Sequence, residues 1–343
     1  MEFSASYTTI ECHTGGEPLR IVTGGVPRLP GDTILAKRRW AREHLDHVRR
    51  ALILEPRGHA DMYGAYLTEP VTAAADLGVV FMHNEGYSDM CGHGIVALAT
   101  VAVAQGLVAR SEPETRVGID TPAGFVEAFV AWGGRRAGPV RFRNVPSFLH
   151  TRDLTVETPS FGAVTVDVAF GGAFYAYLDA EQVGLAVEPE RLRDLVQTGH
   201  EVKHAVMAAA TIEHPLEPEL RGIYGTILAD RVSAIGDGAT ADGGIEQRNV
   251  CVFADREVDR SPTGTGTAGR VAQLVARGRL ALGAPLRNAS IVGSVFTGRA
   301  LEATRVGPFD AVVPEVTGSA SIMGHATWLV ERGDTLGAGF FLR

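Results

Sequence analysis

Two similar glycine-rich segments lie half a chain apart. Residues 91–94 read Cys-Gly-His-Gly and residues 263–266 read Thr-Gly-Thr-Gly; the two starts are 172 positions apart in a chain of 343 residues. A small-residue loop that leads into a helix directs backbone N–H groups toward a ligand. The repeat therefore predicts a duplicated fold in which two helix N-termini face a shared cleft, one offering a thiol and the other an alcohol.

Length and patterning predict an α+β protein of about two domains. Short alternating segments at 124–130 and 163–168 are typical of strands, and the patterns at 40–51, 95–109, 189–200 and 268–277 are typical of helices. A glycine-rich stretch at 132–139 indicates a boundary near residue 135. We expect an N-terminal half, 1–135 plus 330–343, that carries Cys91, and a C-terminal half, 136–329, that carries Thr263.

Charge and composition exclude several classes of protein. The net charge is −8 and the 32 basic residues are spread along the chain, which argues against nucleic-acid binding. The basic run at 37–39 is interpreted as a solvated helix face. No apolar stretch reaches the roughly 20 residues of a membrane span, and the first ten residues lack a secretory pattern. With only three cysteines, a reducing cytoplasmic location is expected.

Cys91 is the candidate catalytic residue. It stands where an apolar helix begins, and the helix dipole and first N–H groups stabilise a thiolate there. A cysteine whose pKa is lowered in this way serves as a base near neutral pH. Cys12 and Cys251 lack this setting and are interpreted as core thiols.

The two glycine-rich segments together predict a carboxylate site. The N–H groups of Gly92, His93, Gly264 and Thr265 are candidates to hold a substrate carboxylate, which would also acidify the adjacent carbon. Asp259 and His93 are candidates to hold a substrate amine.

Cofactor and metal chemistry find little support. Residues 264–269 match G-x-G-x-x-G, but no acidic residue follows at the distance a dinucleotide site requires. A pyridoxal Schiff base needs a lysine, and Lys37 and Lys203 lie in unsuitable surroundings. The histidine pairs at 44 and 47 and at 200 and 204 lack further metal-binding motifs, and no G-x-S-x-G elbow appears. We expect a reaction without cofactor or metal.

The chain resembles the proline racemase family over its whole length. The matching segments are HTGGEPLR at 13–20, EPRGHADMYGA at 55–65, CGHG at 91–94, DTPAG at 120–124, NVPSF at 144–148 and DRSP at 259–262. The resemblance implies two pseudo-symmetric domains of diaminopimelate-epimerase-like fold, each a β-rich half wrapped around a central helix. It also implies an active site in the cleft between them, a homodimer, and catalysis without cofactor. His13, Glu17 and His59 lie in these segments but receive no chemical role.

One position departs from the pattern of the family's racemases. Those enzymes resemble this chain but have a second cysteine at the position of Thr263, and the two cysteines act on opposite faces of the substrate. The combination of Cys91 with Thr263 resembles the branch that dehydrates trans-3-hydroxy-L-proline. In that substrate the C2 hydrogen and the C3 hydroxyl share one ring face, so we expect Cys91 to serve both. The expected product is 1-pyrroline-2-carboxylate.

Two other functions stay open. A 4-hydroxyproline epimerase or proline racemase is disfavoured by Thr263, because an alcohol is a much weaker acid than a thiol. A non-catalytic binding protein for proline-like amino acids would keep the carboxylate site but would not need a thiol at position 91.

Overall fold

Strands dominate the part of the chain that the structure describes, residues 2–230 and 242–342. In this computed structural model the strands are β1 (Phe3–Thr14), β2 (Glu17–Gly24), β3 (Tyr63–Thr68), β4 (Leu77–His83), β5 (Glu114–Thr121), β6 (Gly124–Trp132), β7 (Ala137–Arg143), β8 (Ser147–Thr158), β9 (Gly162–Phe170), β10 (Phe174–Asp179), β11 (Gly225–Ala229), β12 (Ile245–Phe253), β13 (Glu257–Asp259), β14 (Leu286–Ser290), β15 (Val295–Val306), β16 (Phe309–Gly318) and β17 (Ala320–Glu331). The α-helices are α1 (Ile34–His44), α2 (Asp46–Ile53), α3 (Gly92–Ala104), α4 (Leu192–Ala209) and α5 (Gly264–Ala276).

The chain divides into two units. The first is Met1–Val140 with Ser319–Arg343, and the second is Arg141–Gly318. The divisions therefore fall after residues 140 and 318, compared with the expected 135 and 329. The expected outer bounds, positions 1 and 343, lie outside the described residues.

The first unit is a sheet with the strand order β17-β1-β2-β3-β4-β5-β6. All neighbours are antiparallel except the pairs β2–β3 and β4–β5, which are parallel. Parallel neighbours need a crossover, and here helices provide it. Helices α1 and α2 connect β2 to β3, and α3 connects β4 to β5.

The second unit repeats this plan and closes it. Its strands run β8-β9-β10-β11-β12-β14-β15-β16, and β16 pairs with β8. Among these pairs of described strands, β10–β11 and β12–β14 are parallel and the others antiparallel, and α4 and α5 provide the two crossovers. Helix α5 packs against β8, β9, β10, β15 and β16. The same succession of pairings around one central helix in each unit is the topology of a duplicated fold.

Helix α3 shows why these central helices form. Its residues from Gly92 to Val103 are all buried, and all of them except His93 and Thr100 are apolar or glycine. A helix of that kind belongs in a core. It packs against β1, β2, β5, β6 and β17 of its own unit. The predicted helix at 95–109 is thus present, but it begins at Gly92 and ends at Ala104, before Gln105 and Gly106.

The first predicted helix differs from the structure in its continuity. Instead of one helix at 40–51, α1 ends at His44 and α2 starts at Asp46. Between them, Leu45 leaves the helical conformation (φ −117°, ψ 10°) and is buried in the core. Its carbonyl accepts a hydrogen bond from the Tyr66 hydroxyl at 3.3 Å. This tertiary contact has no local sequence signal.

The interpretation of residues 37–39 as a solvated face is wrong for two of the three residues. Lys37 and Arg38 are only 5% and 6% exposed. The Lys37 ammonium donates to Thr68 Oγ1 (3.0 Å) and to the Glu69 carbonyl (2.7 Å), and Arg38 forms an ion pair with Asp89. Hydrogen bonds and an opposite charge of this kind offset part of the desolvation cost of burying a basic side chain.

Candidate active site

In the first unit, Cys91 is the N-cap of α3. Its backbone is extended (φ −144°, ψ 107°), and its Sγ accepts the Gly94 N–H at 3.2 Å. The side chain is only 5% exposed. The thiol is therefore held at the positive end of a helix, and a backbone donor points at the sulfur, two features that stabilise a thiolate.

The loop before α3 is anchored at the two residues Ser88 and Asp89, shortly before Cys91. Asp89 receives the ion pair from Arg38, and its carbonyl accepts the Ala123 N–H at 3.2 Å. The Ser88 N–H donates to the Phe81 carbonyl of β4 at 3.2 Å. These bonds fix the direction in which the chain enters α3 and so the position of the thiol.

His93 lies directly beside the thiol. Its Nδ1 is 3.1 Å from Cys91 Sγ, and the ring is 4% exposed. Tyr63 contacts the imidazole edge to face, with ring centroids 4.9 Å apart, and the Thr14 hydroxyl donates to the His93 carbonyl at 2.9 Å. An imidazole within hydrogen-bond distance of a thiol can exchange a proton with it.

Gly94 permits this close arrangement. An added Cβ at this position would lie 2.4 Å from Phe81 Cε1 and 3.1 Å from Cys91 Sγ. A larger residue would displace either the ring or the sulfur. The glycine at the fourth position of the motif is thus a steric requirement of the cap.

In the second unit, Thr263 is the N-cap of α5 and has a different conformation. Its φ of +62° is unusual for a β-branched residue, and its side chain makes no capping hydrogen bond. The residue is 5% exposed, and Oγ1 is a buried atom without a hydrogen-bond partner among the described residues. A hydroxyl in this state is available to a bound molecule.

Asp259 shapes the turn that leads to Thr263. Its Oδ1 accepts the Ser261 N–H at 2.7 Å, and Ser261 Oγ accepts the Thr263 N–H at 3.1 Å. Asp259 is 5% exposed and ends β13. One carboxylate oxygen is therefore used in the turn.

Gly264 and Thr265 form the first turn of α5 after the cap. The Thr265 hydroxyl lies 2.7 Å from the Tyr175 hydroxyl, so its side chain is directed into the core of the unit. An added Cβ at Gly266 would lie 2.3 Å from Ile227 Cδ1 and 2.9 Å from Thr263 Cγ2. As in α3, the glycine allows the helix N-terminus to fit tightly around its cap.

The structure therefore groups the sequence-predicted residues by unit. Cys91, Gly92 and His93 lie together at the start of α3, whereas Asp259, Thr263, Gly264 and Thr265 lie together at the start of α5. The sequence did not single out Thr14, Tyr63, Ser261 and Tyr175 as supporting residues. The first three lie within the family-like segments, a signal that was present but unspecific, while Tyr175 had none.

The three unassigned residues of those segments have different settings. His13 Nδ1 accepts the Gly16 N–H at 3.3 Å in the β1–β2 turn. His59 is exposed, and its Nδ1 donates to the Ala60 carbonyl at 2.7 Å. Glu17, in contrast, is completely buried at the start of β2.

The other two cysteines are buried, as interpreted. Burial, together with the charge of Glu11, raises the pKa of Cys12 to about 12. Cys12 is therefore a neutral thiol at physiological pH, unlike a thiol at a helix N-terminus.

Within residues 2–230 and 242–342, no set of three or more His, Cys, Asp or Glu side chains is arranged to bind a metal ion. The rings of His200 and His204 are in contact, with centroids 4.4 Å apart. None of the helices in these ranges has the length and apolar character needed to cross a bilayer.

Residues 9–341 match the family described as proline racemase. The chain belongs to the proline racemase family. The resemblance inferred from the motifs is thereby confirmed. Among members of this family, the chain is 59% identical to a trans-3-hydroxy-L-proline dehydratase of Burkholderia cenocepacia, over 100% of both chains. It is also 59% identical to a 3-hydroxyproline 2-epimerase of Burkholderia multivorans, again over 100% of both.

The fold is similar to that of a solved hydroxyproline epimerase. A crystal structure of a hydroxyproline epimerase from Agrobacterium vitis with bound trans-4-OH-L-proline matches with a TM-score of 0.90 and 31% identity, covering 100% of this chain and 97% of the other. Together with the repeated topology, this likeness confirms the expected α+β fold of two similar halves.

Proposed function

We propose that this chain is a trans-3-hydroxy-L-proline dehydratase, a hydro-lyase that forms 1-pyrroline-2-carboxylate. The observation that carries the proposal is the chemical difference between the two helix caps, a thiol at Cys91 and an alcohol at Thr263. Inversion of a carbon centre needs an acid and a base on opposite faces, whereas this elimination needs them on one face. The name of the Burkholderia cenocepacia relative supports the same assignment.

Cys91 acts as the base in the proposed reaction. The thiolate removes the C2 proton, the electron pair left on C2 forms the C2=C3 double bond, and the C3–O bond breaks. The hydroxyl leaves on the same face and takes up a proton from the Cys91 thiol, so that water is released. The resulting enamine then tautomerises to 1-pyrroline-2-carboxylate without further input of atoms or electrons.

His93 supports this proton movement. Its nitrogen lies 3.1 Å from Sγ and can receive the proton of the thiol before the substrate reacts. Binding of the substrate amine by His93, expected from the sequence, stays a prediction. Asp259 is the second candidate for that contact, since only its Oδ1 is engaged in the turn before Thr263.

Thr263 is proposed to contact the substrate through its unpartnered hydroxyl. A buried hydroxyl without a partner is unfavourable, so a hydrogen bond that forms to it as the substrate reacts stabilises the transition state and raises kcat. The N–H groups of Gly92, His93, Gly264 and Thr265 are the proposed carboxylate donors. We further propose a cytoplasmic homodimer that works without a cofactor; the family resemblance supports the dimer, and the acid–base groups at Cys91 support cofactor independence.

The deciding experiment is proton NMR of the purified protein with trans-3-hydroxy-L-proline in D₂O without added cofactor. We expect signals of 1-pyrroline-2-carboxylate to replace those of the substrate. An intact ring that loses only its C2–H signal would contradict the dehydratase and indicate a base with another substrate. Binding without exchange or turnover would instead identify the non-catalytic amino-acid binding protein.

A second candidate function is 3-hydroxyproline 2-epimerase, which is the name of the relative in Burkholderia multivorans. The same spectra distinguish it, because epimerisation keeps the hydroxyl and gives a second set of intact ring signals. The 4-hydroxyproline epimerase and proline racemase activities are tested by replacing the substrate with trans-4-hydroxy-L-proline or L-proline.

A further inference from the structure

The turn before α5 is held by several buried side chains that converge on one atom. The carbonyl oxygen of Pro262 accepts hydrogen bonds from Asn249 Nδ2 (3.2 Å), Asn288 Nδ2 (3.1 Å) and Thr267 Oγ1 (3.1 Å). All three donor residues are at most 1% exposed. Pro262 immediately precedes Thr263, so these bonds fix the peptide plane from which the strained residue starts.

A threonine keeps a positive φ only where several contacts hold its backbone, as these three hydrogen bonds do. A left-handed conformation costs an L-residue of this type about 1–2 kcal/mol and persists only where surrounding contacts enforce it. A relaxed Thr263 would turn its hydroxyl to cap α5, as threonine commonly does. The contacts at Pro262 instead keep the hydroxyl away from the helix and unpartnered.

The orientation of these donors is set by a chain that begins at Arg270. Arg270 Nε donates to Gln247 Oε1 at 3.0 Å, and Gln247 Nε2 donates to Asn288 Oδ1 at 3.0 Å. Asn288 Nδ2 then donates to Thr267 Oγ1 (2.8 Å) as well as to Pro262. A guanidinium can only donate, so it dictates which end of each amide faces the next residue.

The hydrogen bonds that run from Arg270 to Pro262 keep their direction at physiological pH. Burial lowers the pKa of Arg270 to about 10, so it stays protonated at neutral pH. Gln247 and Asn288 are 7% and 0% exposed, so water has little access to replace either bond. The direction of every hydrogen bond between Arg270 and the Pro262 carbonyl is therefore defined.

We propose that Arg270, Gln247 and Asn288 are positioning residues, which act through the Pro262 carbonyl to hold the Thr263 hydroxyl free of its helix and available to substrate. This inference rests on the proposed role of Thr263 and extends it to a hydrogen-bond chain remote from the substrate. None of the three residues needs to touch the reacting atoms.

The test reverses the polarity of the chain at one atom. In Gln247→Glu the side chain keeps its shape and still accepts from Arg270, but it has no N–H for Asn288 Oδ1. Asn288 then gains by flipping its amide toward the carboxylate, which turns Oδ1 toward the Pro262 oxygen. We expect kcat for dehydration to fall about 10- to 100-fold with KM changed less than about 3-fold, the signature of a displaced catalytic contact.

Two further variants separate polarity from packing. Gln247→Met removes both hydrogen bonds but imposes no wrong orientation, so its kcat should fall less than that of Gln247→Glu. Gln182→Glu, an isosteric change at an exposed glutamine of the same unit, should match the wild type. If Gln247→Met is the more damaged variant, loss of packing explains the effect and the proposal is overturned. If Gln247→Glu does not fold, the Met variant alone must still lower kcat at constant KM.

A double-mutant cycle with Thr263→Ala distinguishes this proposal from the role of Thr263 itself. Once the hydroxyl is absent, Gln247→Glu should cause no further loss of kcat. Equal losses of kcat in both backgrounds would mean that the hydrogen bonds from Arg270 to Pro262 support the fold and do not act through the Thr263 hydroxyl. A fully active Thr263→Ala would contradict the proposed contact of Thr263 and this inference together, whereas absence of dehydration by the wild type would contradict the proposed function first.

Discussion

The two central helices start in opposite ways. Cys91 has an extended backbone, and its side chain caps the first turn of α3, because Sγ accepts the Gly94 N–H. Thr263 has a positive φ and leaves its hydroxyl unpartnered, although threonine is the better N-cap of the two residue types. In the duplicated fold, one cap residue therefore stabilises a thiolate, whereas the hydroxyl of the other makes no hydrogen bond to its own helix.

This difference separates two ways of preparing a reactive group. At α3 the helix itself stabilises the thiolate, since the dipole and the Gly94 N–H both favour the ionised sulfur. At α5 the Pro262 carbonyl, and with it Thr263, is held mainly by Asn249 and Asn288 from strands β12 and β14, with Thr267 of the helix as the third donor. The first arrangement is local in sequence and the second is not.

The largest expected effect is that of Cys91→Ser. Serine caps helices well, so α3 should stay intact, but an alcohol is too weak an acid to supply the base at neutral pH. We expect kcat for dehydration to fall about 1000-fold, and exchange of the C2 hydrogen in D₂O to fall in parallel. NMR time courses with trans-3-hydroxy-L-proline measure both quantities.

The matched control for that prediction is Cys12→Ala, which removes a buried thiol that is neutral at physiological pH. It should keep the wild-type kcat per folded molecule. Substantial dehydration by Cys91→Ser would show that another group is the base.

Thr263→Cys tests whether the alcohol at the second cap is what prevents inversion of the substrate. A thiol at the second cap supplies the missing acid, so inversion at C2 of proline or 4-hydroxyproline should become about 100-fold faster than in the wild type. Chiral chromatography of the amino acid after incubation measures the inverted product. The matched variant Thr263→Ser should show no gain. If the cysteine variant shows none either, the walls of the pocket, rather than the missing acid, determine the reaction.

The contrast between the two caps also explains what the sequence predicted. The duplicated α+β fold, the presence of both central helices and the burial of Cys12 and Cys251 follow from local motifs and patterning, although α3 and α5 begin at Gly92 and Gly264, before the predicted 95 and 268. The position of Cys91 at a helix N-terminus was equally evident, because a small-residue loop before an apolar stretch is a local signal.

Features that depend on distant partners were not predictable. Nothing near Thr263 in the sequence indicates its positive φ, because Asn249 and Asn288, which help to enforce it, come from strands β12 and β14. Likewise, the burial of Lys37 depends on Thr68 and Glu69 across the unit. Such partners become visible only when the strands are paired.

The C-terminal ends of the two helices predict a difference in pH dependence. At α3, Arg110 donates to the carbonyls of Val103 (2.7 Å) and Ala104 (2.8 Å). At α5, Gln273 and Arg277 are bound to Asp167 on β9. Burial raises the pKa of Asp167, but the hydrogen bonds from Arg277 and Gln273 outweigh it, so that the pKa lies below its ordinary value.

Asp167→Asn should therefore lower the free energy of unfolding by about 2 kcal/mol at pH 7. A lowered pKa in the folded state gives stabilisation that is complete above the ordinary pKa of about 4 and is lost as the pH falls below it, toward and through the lowered pKa of the folded state. Urea titrations at pH 7 and pH 3 should show the variant approaching the wild type at the lower pH. Arg110→Ala, the matched change at α3, should give a difference that does not depend on pH in this range; a constant gap for Asp167→Asn would contradict the assigned ionisation.

The smallest expected effect comes from placing glycine at each cap. Thr263→Gly relieves the cost of a positive φ and removes an unpartnered hydroxyl, and the greater chain entropy of glycine offsets part of this gain. We expect its free energy of unfolding to rise by about 0.5 kcal/mol, while Cys91→Gly, at an extended φ, loses a cap and a buried thiol and should fall by about 1 kcal/mol. Both variants should lose turnover, so urea titration is the informative measurement. Opposite signs would show that strain is confined to the α5 cap. A loss of similar size at both caps would mean that the Thr263 side chain contributes more packing than its backbone costs, and the contacts at Pro262 would then not be needed to hold it.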